Sequence, residues 1–150
     1  MEGYAGTQFV GIDLHRRRSV IVRMTGAGEV LETTGIVNGV DALAAVMARA
    51  GEAPEVVLEA TYGWYWAVDA LAEQGANVHL AHPLGVKAFE YRRVKNDVRD
   101  AADLADLLRM GRPLVSCASR SGTGRSWSAC ARTARPRCTR CWPSAGSRWR

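Results

Sequence analysis

Residues 7–37 hold three strand-type runs with no stretch of helical length between them. In "TQFVGIDLH", Phe9, Gly11 and Asp13 share one face, and Val10 and Ile12 share the other. Gly11 leaves space beside Asp13. "SVIVRMTG" follows the polar turn "HRRR", and "GEVLETTGIV" follows the hairpin signal Gly26-Ala27-Gly28. Connections this short pair successive strands antiparallel. From residue 38 the pattern changes. "NGVDALAAVMARAG" reads as a helix closed by Gly51, and "PEVVLEA" as a short apolar strand ending at Glu59. "TYGWYWAVDALAEQG" is a helix closed by Gly75, and "ANVHLAHP" a strand stopped by Pro83. "LGVKAFEYRR" predicts a short helix, and residues 97–110 a longer one. The order β-β-β-α-β-α-β-α-α predicts an α/β fold, a mixed sheet flanked by helices.

In such a sheet, sites gather beyond the carboxyl ends of the strands. Asp13 and Glu59 each end a strand. "VKNDVRDAADLADLL" then brings four aspartates between Asp97 and Asp106. With Asp97 at 0°, Ala101, Leu104, Leu107 and Leu108 fall at about 40°, 340°, 280° and 20°. Asp97 and Asp100 (about 300°) lie on that apolar face. Asp103, at about 240°, is at its edge, and Asp106, at about 180°, lies opposite. Taken singly, each acid has a plainer role. Asp97 and Asp100 suit a cap and a dipole partner, Asp13 a strand-end turn, and Glu59 a surface acid before a helix. Taken together, four acids converge on one sheet edge. Clustered carboxylates repel unless a cation compensates. Hard divalent ions do so, and a pair of them suits phosphodiester chemistry.

The chain length allows one domain with a real core. No apolar run is long enough to cross a membrane, and the N-terminus lacks the pattern of a signal peptide, which predicts a cytoplasmic protein. The net charge of +5 averages two unlike parts. Residues 1–110 carry fifteen acids against eleven Lys and Arg, a balance of −4, whereas residues 111–150 carry nine arginines and no acid. The tail also holds all four cysteines.

"GIDLH", "LEATYGWYWAVDALAEQG", "VHLAHPLGVKAFE" and "KNDVRDAADLADLL" resemble the N-terminal domain of the DEDD transposases of insertion sequences, relatives of the Piv DNA invertases. The resemblance covers about residues 7–112 and implies a RuvC-like domain of ribonuclease-H type. It implies DNA transposition through metal-dependent phosphodiester cleavage and strand transfer. It carries the four family acids onto Asp13, Glu59, Asp97 and Asp100, as a carboxylate-only site for Mg2+ or Mn2+. The family commonly has Thr where this chain has Asn96, and both residues cap helices. Implied partners are element DNA, target DNA and a guiding non-coding RNA, with a homo-oligomer left open.

Lys87, Arg92, Arg93, Lys95 and Arg99 flank the site as candidate backbone contacts, with a solvated basic surface as the equal alternative. Trp64, Tyr65 and Trp66 could stack bases, though core packing suits them better as a group. His79 and His82 read as strand and turn residues rather than ligands. Two rival functions remain: a sugar-kinase or actin-like ATPase, and a non-catalytic nucleic-acid-binding remnant. The ATPases need a Gly-rich phosphate loop where "LHRRR" stands.

Residues 113–150 read as a basic, disordered, irregular tail without helical or strand period. Cys138 and Cys141 form one CxxC without a second, which is weak for zinc. "ARPRCTRCWPSAGSRW" can be back-translated so that a neighbouring frame reads "KAQVHQVLAQRGFPV", an amphipathic segment. A frameshift near residue 112 is therefore expected, and with it a chain that does not transpose DNA alone. Family members continue into a second domain that bears a catalytic serine.

Overall fold

The computed structural model describes residues 4–61, 63–81 and 96–111. The elements in these residues are β1 (Phe9–Leu14), β2 (Arg18–Met24), β3 (Val30–Val37), α1 (Val40–Met47), β4 (Glu55–Glu59), α2 (Tyr65–Glu73), β5 (Asn77–Ala81) and α3 (Asp97–Arg109). The expected short helix at 84–93, and the tail from residue 112, lie outside the described residues. The strands form one sheet in the order β3-β2-β1-β4-β5. β1 and β3 both run antiparallel to β2. β4 is parallel to both β1 and β5. This is the mixed sheet that the order of elements predicts.

The period of two sorts the side chains onto two faces. Val10, Ile12 and Leu14 of β1 join Ile21, Val56 and Leu58 in a core with Leu43 and Val46 of α1 and Val68 and Leu71 of α2. α3 packs on the opposite face. There Ala101 and Ala105 meet Val22 and Met24, and Leu104 meets Val57 and Ala81. α3 lies so close to β1 that a Cβ at Gly11 would stand 1.9 Å from the carbonyl oxygen of Ala101. The space beside Asp13 that Gly11 leaves is thus taken by helix backbone.

The β2–β3 hairpin closes where Gly26-Ala27-Gly28 signals it. Gly28 takes a positive φ of 89°, and its N–H donates to the Thr25 carbonyl at 3.0 Å. Arg109 at the end of α3 reaches this hairpin. It pairs with Asp106 and stands against Gly28. Asp106 is therefore not simply a solvated residue, as its angle on the helix suggests; it holds the arginine that ties α3 to the hairpin. Asp103, at the edge of the apolar face, is exposed.

At the end of the sheet away from Asp13, Glu32 of β3 bonds Arg23 of β2 and Arg49 beyond α1. Thr34 Oγ1 donates to it at 2.6 Å. Arg23 also donates to Gln8 at 2.7 Å and to the Arg49 carbonyl at 2.5 Å. The Arg49 hydrogen bond, then those of Thr34 and Arg23, hold the Glu32 carboxyl down from its ordinary 4.5 to about 2. A depressed carboxylate stabilises the fold above its unfolded pKa, and that stability is lost as pH falls through the folded value. Because Arg49 is half exposed, screening reduces the expected effect to roughly 2 kcal/mol. Glu32→Gln should cost that much in denaturant unfolding at pH 7, and the gap from wild type should close between pH 4.5 and 2. A gap that stays constant over this range would show that the charge contributes nothing.

Candidate metal centre

Asp13 is the penultimate residue of β1, on the face that α3 covers, and only 8% of it is exposed. β1 and β4 pair Ile12 with Leu58, so the next residues, Asp13 and Glu59, stand side by side on parallel strand ends. Both share their face with Gly11 and Val57, against which α3 packs. Glu59 is half-buried.

α3 supplies the other two acids. Asn96 is extended, and its side chain accepts the Val98 N–H at 3.0 Å, which caps the helix. Asp97 and Asp100 fall in the first turn, where the helix dipole favours negative charge. Asp100 is half-buried, whereas the Asp97 side chain is 52% exposed. Removing the cap with Asn96→Ala should cost about 1 kcal/mol of stability in denaturant unfolding. No loss would mean that packing alone fixes the start of α3.

Asp13 and Asp97 meet through a residue that the sequence reading passed over. His15 Nε2 lies 2.9 Å from Asp13 Oδ2 and 3.5 Å from Asp97 Oδ2. One donor atom from each of Asp13, His15 and Asp97 fits within a mutual separation of 4.8 Å. The signal was available: at strand spacing, residues 13 and 15 share a face. The oxygen donors suit a hard divalent cation, so the group fits the ion that clustered carboxylates call for.

The turn that carries His15 is tied down. Its N–H donates to the Arg18 carbonyl at 3.2 Å, and its own carbonyl accepts from Asn38 Nδ2 at 2.6 Å. The Asn38 N–H donates to the Arg17 carbonyl at 3.0 Å. This tight turn stands where an ATPase would need its phosphate loop, and nothing favours that rival. Arg16, Arg17 and Arg18 are exposed beside it, as is Arg99 on α3. Lys87, Arg92, Arg93, Lys95 and His82 lie outside the described residues.

His79 is a strand residue, as read, with Nε2 on Glu55 Oε2. Trp64 and Trp66 pack against the main core, but Tyr65 does not follow them. It is 39% exposed, with its ring 4.1 Å from that of Trp64. No helix among the described residues is long and apolar enough to cross a membrane.

A family model described as a transposase, the DEDD type of IS110 elements, matches residues 10–135. The match runs past residue 112, where the composition changes. No curated protein matches the chain. Among solved structures, Thermus thermophilus RuvC in complex with Holliday junction substrate has a TM-score of 0.51 at 17% identity, over 70% of this chain and 96% of that one. A Thermus thermophilus RuvC structure has a TM-score of 0.46 at 18% identity, over 70% of this chain and 97% of that one. The first of these likenesses identifies the fold as RuvC-like. The family match spans all of the described elements except the first residue of β1, and it includes Asp13, Glu59, Asp97 and Asp100; the chain belongs to the DEDD transposases, the family of DNA transposition and recombination.

Proposed function

We propose that this chain carries the metal-dependent carboxylate site of transposition, with Asp13, Glu59, Asp97 and Asp100 holding Mg2+ or Mn2+, and that it does not transpose DNA without the serine-bearing second domain. The observation that carries this reading is convergence. A strand-end aspartate and a helix-start aspartate, far apart in sequence, bring oxygens to within 4.8 Å of one another. When bound, the divalent ion would polarise a scissile phosphate and acidify an attacking oxygen. The protein supplies position. Buried Asp13 is fixed by a central strand, Glu59 by the neighbouring strand, and Asp97 and Asp100 by one capped helical turn. Asp97 is open to solvent, so nucleic acid can approach from that side.

Backbone phosphates would be held by Arg99, by Lys87, Arg92, Arg93 and Lys95, and by Arg16, Arg17 and Arg18 of the turn. The last three extend the set read from the sequence. DNA is the principal partner, in the cytoplasm. A guiding RNA follows from the family resemblance, which leaves a homo-oligomer open. The division into a domain at 7–112 and a tail at 113–150 rests on the change of composition.

The test is calorimetric titration with Mn2+ and Mg2+, followed by cleavage of DNA that spans the element ends. Asp97→Asn should weaken metal binding about tenfold or more, whereas Asp106→Asn, on the hairpin side of α3, should leave it unchanged. Equal effects would overturn the assignment of helix faces. Metal and DNA binding without any cleavage would favour the non-catalytic remnant.

A further inference from the structure

We propose that His15 is a nitrogen ligand in this metal site, and that the site consequently prefers Mn2+ to Mg2+. The inference rests on the metal reading above and departs from the carboxylate-only set that the family resemblance implies. Its first support is distance. Adjacent ligands on a small divalent ion with bonds of about 2.1 Å stand roughly 3.0 Å apart in an octahedron and 3.4 Å in a tetrahedron. His15 Nε2 lies 2.9 Å from Asp13 Oδ2 and 3.5 Å from Asp97 Oδ2, close to the spacing of a co-ligand with both.

Preorganisation is the second support. Asn38 holds the His15 carbonyl through Nδ2 and the Arg17 carbonyl through its own N–H. Ser19 Oγ in turn donates to Asn38 Oδ1 at 2.6 Å. Ser19 is buried, so this clamp is rooted in β2. The backbone of His15 is thus fixed on both sides while its ring, 42% exposed, reaches over Asp13 to Asp97. A ligand held in place before binding loses less freedom when the ion arrives.

The third support is donor chemistry. Mg2+ demands oxygen ligands and dehydrates reluctantly. Imidazole nitrogen favours the later first-row ions, and Mn2+ accepts both oxygen and nitrogen. Substituting nitrogen for one oxygen therefore moves the preference away from Mg2+.

Pulsed electron paramagnetic resonance of Mn2+ bound to the full chain tests this directly, because a coordinated imidazole nitrogen modulates the echo. Wild type should show that modulation, and His15→Gln should lose it. By calorimetry, Mn2+ affinity should fall about tenfold in His15→Gln, and Mg2+ affinity should change less than about twofold. Bound Mn2+ without nitrogen modulation in wild type would overturn the proposal and leave the carboxylate site standing. Modulation that persists in His15→Gln would assign the nitrogen to another histidine, with the same consequence. No Mn2+ binding by wild type would overturn both readings. Because the His15 ring is 42% exposed and the turn is held through its backbone, the variant should fold; the wild-type spectrum is in any case decisive alone.

Discussion

Gly11→Ala should cost more than about 3 kcal/mol and should abolish metal binding with it. The added Cβ would stand 1.9 Å from the Ala101 carbonyl oxygen and 2.8 Å from the Ala105 nitrogen. Both are backbone atoms of α3, so no side-chain rotation relieves the clash. The helix must lift away from β1. Lifting it uncovers Leu104, Ala101 and Ala105, which are buried against β2 and β4. It also carries Asp97 away from Asp13, which breaks the site even where the sheet survives. Gly35→Ala is the control. It too is a strand glycine, but a Cβ there meets nothing within 4 Å, so the change should stay within about 0.5 kcal/mol. Denaturant unfolding and Mn2+ calorimetry on the two variants check this. Similar stability of the two variants would show that α3 does not dock as described.

Much of this architecture was legible because periodicity is local. The strands begin and end within about two residues of the sequence reading, since alternation and glycine signals sit in the strands and turns themselves. The acids were legible for the same reason: Asp13 and Glu59 end strands, and a helical period places Asp97 and Asp100 on one side of α3. What a helical angle lacks is position along the axis. Asp97 shares the buried angle of Leu104, yet its side chain is half exposed because it opens the helix. Asp106 lies at the solvent angle, yet it is engaged by Arg109.

Other features depend on what arrives from elsewhere in the chain. Gly11 reads as open space until α3 is known to cross it. Glu32, Arg23 and Arg49 are unremarkable singly; the β2–β3 register sets Arg23 against Glu32, and the segment after α1 brings Arg49 to them. His15 was hidden by reading "HRRR" as one polar turn. The strand period already put it on the face of Asp13, but nothing in the sequence gave the reach of its ring to Asp97.

Asp13→Asn should reduce metal-dependent DNA cleavage by about a thousandfold or more while leaving the fold intact. The change keeps the size and shape of the side chain and removes one negative charge. Of the four acids, Asp13 sits deepest, on the central strand, 8% exposed, with β2 on one side and β4 on the other. Its place is fixed by the sheet rather than by the start of a helix, so no neighbour can move to replace it. Metal polarisation of a phosphate supplies several kcal/mol of transition-state stabilisation, and about 4 kcal/mol corresponds to a factor of a thousand in rate. Because an amide is a far weaker ligand for a hard cation than a carboxylate, most of that stabilisation goes with the charge. Asp97→Asn should do less damage, since an exposed side chain on a helix end leaves room for water to take its place. The ranking is as informative as the loss. Cleavage of element-end DNA in Mn2+ should fall steeply in Asp13→Asn, moderately in Asp97→Asn and not at all in Asp106→Asn. Far- and near-ultraviolet circular dichroism need only show the same fold in all three. Full cleavage by Asp13→Asn would mean that the phosphate is handled somewhere other than this sheet edge.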